Sequence, residues 1–183
     1  MTVVDLPQAQ RRISPLLGQR AWNVRRTIGS NVMIQLGRPQ PPDRWGHLRG
    51  EYCLWISMAA WRLETAERVI IGSEDQGMQE ALAQLEDRPL TDVLIRPPAL
   101  ATRFDFDGLR LETFPIYRPD PGRGDFDHWL LWLNREDVLV AGSQLTIEPA
   151  RRRVTAEPDA APAPAAPGAE ARRGAGEGEG EGD

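Results

Sequence analysis

The sequence predicts an α+β fold, a strongly bent and mostly antiparallel sheet of about eight or nine strands with one packed amphipathic helix and a disordered C-terminal tail. The sheet would be half-barrel or sandwich-like. Three observations lead there. Short alternating apolar runs recur between turn residues, a single segment carries apolar residues at helical spacing, and Asp107-Gly108 lies between two alternating runs.

Residues 1–15 read as a flexible N-terminal arm with Arg11 and Arg12 exposed, and residues 16–148 read as the single domain. The first hairpin runs from Trp22 to Ile28 and returns from Val32 to Leu36. A three-residue loop, Gly29-Ser30-Asn31, pairs Ile28 with Val32 and Val24 with Leu36 on one apolar face, and is preferred to a two-residue loop. Residues 37–50, with Pro39, Pro41 and Pro42, form a long exposed loop, because proline has no N–H for a ladder. Tyr52 to Met58 is apolar on both faces, the mark of a central strand. Trp61 to Glu64 alternates, and Arg68 to Ile71 pairs back against it.

Ser73 with Gln76 reads as a capping box opening a helix to about Asp87, with Glu74 and Asp75 in the first turn and Met78, Ala81, Leu82 and Leu85 on one face. Asp92 to Arg96 is a strand stopped by Pro97-Pro98. A two-residue Asp107-Gly108 turn pairs Phe106 with Leu109 and Phe104 with Leu111, and sets Asp105 opposite Arg110 and Arg103 opposite Glu112. A second long loop covers 116–127. His128 to Leu133 is a strand apolar on both faces, and Val138 to Val140 with Gln144 to Ile147 closes the sheet as a hairpin. Residues 149–183, rich in Ala, Pro, Gly and Glu, hold too little apolar side chain to offset the entropy of ordering.

Composition narrows the functional field. The 22 basic residues are all Arg, so a P-loop lysine, a Schiff-base lysine and a Ser/Lys dyad are excluded. A net charge of −5 argues against general nucleic-acid binding, which needs a basic face. Cys53 is the one cysteine, which leaves no disulfide framework and no thiolate zinc site. The N-terminus reaches Asp5 and Pro7 before any apolar signal region, and no run approaches the roughly 18 apolar residues that span a bilayer. The expectation is a cytoplasmic protein with no membrane partner and no cofactor.

Motifs for chemistry are sparse: two histidines, no HExxH and no GxSxG. Asp125, Asp127 and His128 group two carboxylates with an imidazole, a set suited to a divalent cation or to general acid/base work. Loop solvation by the aspartates is the simpler reading, so no catalytic or metal residue is assigned. Arg123-Gly124-Asp125 spells an adhesion tripeptide, expected by chance here. Arg62 can pair with Glu51 or Glu64 if their strands adjoin, chiefly to order the sheet. Ser73 and Asp75 are accounted for by helix capping. Trp22, Trp55, Trp61, Trp129 and Trp132 lie on strands and read as core, whereas Trp45 sits in the Pro-rich loop with Arg44, His47 and Arg49. Trp and Arg favour interface anchors, and a loop Trp can equally fold back as a lid on the core. Arg44, Trp45, His47, Arg49, Arg123 and Asp125 therefore form the expected interface.

The ordered string Leu17-Gly18-Gln19, Trp22, Gly29-Ser30, Gly50-Glu51, Leu54-Trp55-Ile56, Trp61-Arg62, Glu64, Ser73, Asp75, Phe114-Pro115, His128-Trp129 and Leu131 resembles a family of small bacterial proteins of unassigned function, some of them loosely associated with immunity proteins of toxin systems. The resemblance spans about residues 16–147 and transfers no catalytic residue. The lack of a catalytic constellation, the acidic charge and the two long loops, which could present Trp45, His47 and the 120–127 segment, point to a non-catalytic protein-interaction module with an unknown protein partner, and an immunity-type inhibitor or accessory factor is its most concrete form. The alternatives are an apolar-ligand binder and a hydrolase or transferase centred on Asp125, Asp127 and His128.

Overall fold

The computed structural model describes residues 1–42, 46–116, 126–133 and 137–150. Two antiparallel sheets face each other across one core. The first has the order β1 (Thr2–Val3), β12 (Leu145–Pro149), β11 (Asp137–Ala141), β10 (Trp129–Trp132), β4 (Gly50–Ile56), β3 (Val32–Pro39), β2 (Ala21–Arg26). The second has the order β6 (Val69–Gly72), β5 (Ala59–Glu64), β9 (Leu109–Pro115), β8 (Ala101–Phe106), β7 (Asp92–Arg96). Two short helices, α1 (Leu6–Ile13) and α2 (Met78–Leu82), complete the described residues. The architecture is α+β and sandwich-like, with no barrel closure among the described residues. It is built from two sheets rather than one bent sheet, because the chain leaves the first at Ile56 and enters the second at Ala59 through Met58, whose φ is +49°.

Alternation fills the space between the sheets. Val32, Ile34, Leu36, Leu54, Ile56, Trp129, Leu131 and Leu139 from one side meet Trp61, Leu63, Phe104, Phe106 and Leu111 from the other. Trp129 stands edge-on to Phe104 at 5.7 Å, and its indole N–H donates to Thr102 Oγ1 at 2.9 Å. The Asp107-Gly108 hairpin has the expected register: Phe106 pairs with Leu109, Asp105 with Arg110, Phe104 with Leu111 and Arg103 with Glu112. Positive φ at both turn residues, +42° and +90°, gives the mirror-image twist that a two-residue hairpin needs.

The first hairpin departs from expectation. Arg26 pairs with Val32 and Ala21 with Leu36, with a bulge between Trp22 and Arg25. Asn23 takes a left-handed conformation, so Ala21 and Val24 both turn inward although three residues apart, and Ile28 is left exposed.

The N-terminus is also corrected, since residues 1–15 belong to the domain. Thr2 and Val3 pair with Ile147 and Thr146, and α1 buries Ala9 and Ile13. Asp5 and Gln8 form a reciprocal capping box, with Pro7 in the first turn and Arg11 and Arg12, exposed as expected, in the last. The expected box at Ser73 does not form. The Ser73 N–H is held by the Trp61 carbonyl at 2.8 Å, and Asp75 accepts from the Gly72 N–H at 2.7 Å. Gly77, left-handed at φ +79°, interrupts any helix from 73, so α2 begins at Met78 and runs into a 3-10 turn over Ala83–Leu85. The domain extends to Ala150, which is buried; the expected tail beyond it lies outside the described residues.

The α2 region closes the open edge of β2. Gln79 acts as a peptide group would: its Oε1 accepts from Arg26 N at 2.8 Å and its Nε2 donates to Val24 O at 3.0 Å. Glu86 Oε1 takes the Val24 N–H at 2.7 Å, and the Ala21 backbone bonds to Asp87 and Arg88. These side chains stand where an eighth strand would bond. Gln79→Ala is expected to lower unfolding free energy by about 1–2 kcal/mol, read as a lower urea midpoint at unchanged slope.

Candidate functional site

The outer face of the seven-stranded sheet carries the candidate site. Antiparallel register lines its outward residues into two rows across the strands. One row runs Arg25, Met33, Trp55, Leu130, Val140, Thr146; the other runs Trp22, Gln35, Cys53, Trp132, Val138, Glu148. The sequence puts them there by parity. Trp129 and Trp132 are three residues apart on β10, so one faces the core and the other faces out. Trp22, Trp55 and Trp132 therefore leave the core to which the sequence assigned them, and Trp61 and Trp129 stay in it.

Leu130, Val138, Val140 and Ala150 form an apolar cluster on this face, separate from the core, with Trp55 and Trp132 packed against it. The four are buried and the two indoles half-buried, so aromatic surface is what the cluster offers outward. The rings stack at 6.1 Å between centroids and 25° between planes. Their indole nitrogens are shut off from water and have no acceptor among the described residues. The other described indoles differ: Trp22 donates to Gly37 O at 2.9 Å, Trp61 to Ser30 O at 2.5 Å and Trp129 to Thr102.

Polar groups in the rows fix the strands. Gln35, buried, donates to Cys53 Sγ at 3.3 Å and accepts from Gly50 N at 2.8 Å. Gly50 has no room for a side chain, since a Cβ there would lie 2.6 Å from Leu36 O and 2.7 Å from Tyr52 O. Burial first, and then the Glu51 carboxylate, push the Tyr52 phenol above its usual 10.0.

Of the expected interface, Arg44, Trp45, Arg123 and Asp125 lie outside the described residues. His47 is exposed and Arg49 half-buried on the segment leading into β4, where the Arg49 carbonyl accepts from Gln40 N at 2.7 Å. Asp127 is half-buried and His128 is buried at the start of β10. The His128 backbone donates to Ala141 O at 2.6 Å and accepts from Ser57 N at 3.0 Å, which makes His128 part of the sheet ladder. No group of three metal-ligating side chains occurs among the described residues. No described helix is long and apolar enough to cross a membrane.

No family model, no curated protein and no solved structure matches this chain.

The outer face of the five-stranded sheet is of another kind. Arg62 bonds Glu64 at 2.6 Å and Glu112 at 2.9 Å, and its guanidinium lies 5.0 Å from the Phe114 ring centre. Arg96 also binds Glu112, at 3.1 Å, while Asp105 is shared by Arg103 at 2.8 Å and Arg110 at 3.3 Å. The ion pair expected for Arg62 is present, with Glu112 as an added partner, whereas Glu51 lies in the other sheet. The expected Arg103 to Glu112 contact gives way to Arg103 with Asp105. The charges on this face neutralise one another in place.

Two expectations test these assignments. Gly50→Ala forces backbone apart and is expected to cost about 1–3 kcal/mol in chemical denaturation. Trp129→Ala, in the core, is expected to cost about 3–5 kcal/mol, against about 1 kcal/mol for Trp132→Ala on the outer face.

Proposed function

We propose that this chain is a non-catalytic protein-interaction module that docks its partner on the outer face of the seven-stranded sheet. The stacked Trp55–Trp132 pair is the observation that carries the reading. Tryptophan is among the residues enriched where interfaces draw most of their energy, and here two lie side by side on a central sheet with Met33 beside Trp55 on the neighbouring strand. A rigid aromatic platform loses little conformational entropy on binding.

The resemblance to small bacterial immunity proteins gives the reading its most concrete form, an inhibitor that covers a target surface. The acidic chain, at net charge −5, would be steered onto a basic partner. The space between the sheets holds Trp61, Trp129, Phe104 and Phe106, all almost fully buried, which leaves the apolar-ligand reading without support.

Affinity capture from the native cell tests the proposal with three full-length baits: wild type, Trp55→Ala/Trp132→Ala, and Arg103→Ala on the opposite face. A partner retained by wild type and Arg103→Ala and lost with the double variant is the expected result. Identical capture by all three baits removes the outer face as the interface.

A further inference from the structure

The margins of the two sheets are treated unequally. β2 is closed by Gln79 and Glu86. On β6, Asp75 takes the Gly72 N–H at 2.7 Å and gives its own N–H to the Gly72 carbonyl at 3.2 Å. β1 is only two residues long. β7, five residues from Asp92 to Arg96, pairs with β8 on one side and has no such closure on the other.

The bonds around β8 decide which β7 groups are open. The Asp105 carbonyl accepts from Thr91 N, on the β7 side, whereas the Thr102 carbonyl accepts from Thr113 Oγ1, on the β9 side. Antiparallel ladders alternate, so Ala101, Arg103 and Asp105 bond toward β7, opposite Arg96, Leu94 and Asp92. Val93 and Ile95 therefore turn their N–H and C=O groups away from β8, and nothing among the described residues bonds to them. Their side chains point into the core, yet 7% and 5% of their surfaces stay exposed, against 1% and 0% for Phe104 and Leu111 on the inner strands.

The side chains along this margin are self-complementary. Leu94 stands in the middle on the outer face, with Asp92 two residues before it and Arg96 two residues after. An antiparallel copy turned about a two-fold axis at Leu94 sets each Asp92 against the other copy's Arg96, and Leu94 against its own counterpart. The same register brings Val93 opposite the second copy's Ile95, so that each open N–H meets an open carbonyl. A one-residue shift would put core side chains on the outer face, and parallel pairing would oppose like charges. Charges on an edge strand ordinarily repel an added strand, but opposite charges placed symmetrically attract a copy of themselves. Asp92 has capacity for this, since its side chain is 60% exposed and its ion pair with Arg103 spans 4.0 Å. Arg96 spends Nη1 and Nη2 on one oxygen of Glu112 and has further N–H groups to offer.

We propose that β7 is a self-pairing margin, at which two copies of this chain join β7 to β7 about a two-fold axis at Leu94 and run their five-stranded sheets into one. The contact is isologous, so it closes at two copies and does not propagate. Strands this short bury little, below about 1,200 Å², which is the range of transient assemblies. The dimer therefore forms and dissolves with concentration. No residue of the Trp55–Trp132 face takes part in it.

Sedimentation equilibrium of the full chain, in a series reaching about 1 mM, reads the association. Wild type is expected to climb from the mass of one chain toward that of two. Leu94→Glu sets like charges against each other on the axis while Arg103 beside it in the same copy can pair with the new carboxylate, so the fold is kept. This variant and Asp92→Arg are each expected to associate at least about tenfold more weakly. Mixing Asp92→Arg with Arg96→Glu is expected to restore dimers, because each supplies the charge that the other lacks. Oxidative crosslinking reads the register, with wild type, which keeps Cys53, as the control. Leu94→Cys brings its two thiols into a non-hydrogen-bonded pair with Cα atoms about 4.5 Å apart, within disulfide reach. Asp92→Cys leaves its two about 13 Å apart, beyond that reach. A crosslinked dimer from Leu94→Cys alone is the expected result. Wild type that stays monomeric throughout the series, association indifferent to Leu94→Glu, or the same crosslinking at both positions overturns the proposal.

Discussion

Everything in this fold hangs on the way Trp129 is held between the sheets. Its ring is fully buried against Phe104, and its single polar atom is satisfied by Thr102, whose hydroxyl in turn donates to Leu100 O at 2.8 Å. A large apolar surface and a complete hydrogen-bond chain thus cross the gap between the sheets at one place. Because β10 lies between β4 and β11, fixing Trp129 also fixes the phase of the central strands of the seven-stranded sheet. With that phase set, Trp55 and Trp132 have only the outer side left to face.

The two outer faces answer to opposite physics. On the five-stranded sheet, four arginines and their carboxylates bind one another, and Glu112 is buried beneath two guanidinium groups. Such a lattice already has its partners and would have to break contacts to bind anything else. On the seven-stranded sheet the centre of the outward face is indole, thioether, thiol and aliphatic, with Gln35 and Arg25 engaged by their own row neighbours and Thr146 and Glu148 on β12 at its margin.

Much of the architecture was legible from residue pattern alone. Asp107-Gly108 specified its turn, its register and the opposition of Asp105 to Arg110, because local chemistry and apolar alternation agree there. The strands at 52–56, 61–64, 92–96, 129–132, 138–140 and 145–147 were readable for the same reason. What escaped was set by distant contacts. Asn23 bulges the first hairpin so that two residues of unmatched parity share the core, which no alternation rule foresees. Ser73 looks like a helix cap, yet Trp61 claims its N–H; the true capping box, Asp5 with Gln8, was visible in the sequence but lay in a stretch of low apolar content. The candidate site was hidden by parity. A run such as Trp129-Leu130-Leu131-Trp132 is apolar at every position, so it cannot say which indole faces in.

The glutamine that closes β2 has a consequence for how copies of this molecule meet. An unsealed sheet margin invites a neighbour's backbone to continue the ladder, and repetition of that event yields fibrils. Here the backbone groups of Val24 and Arg26 are already spoken for by Gln79 and Glu86, whose carbon chains block the approach. Growth from that margin would require melting a helix first, so self-association by this route carries a kinetic barrier written into two surface side chains.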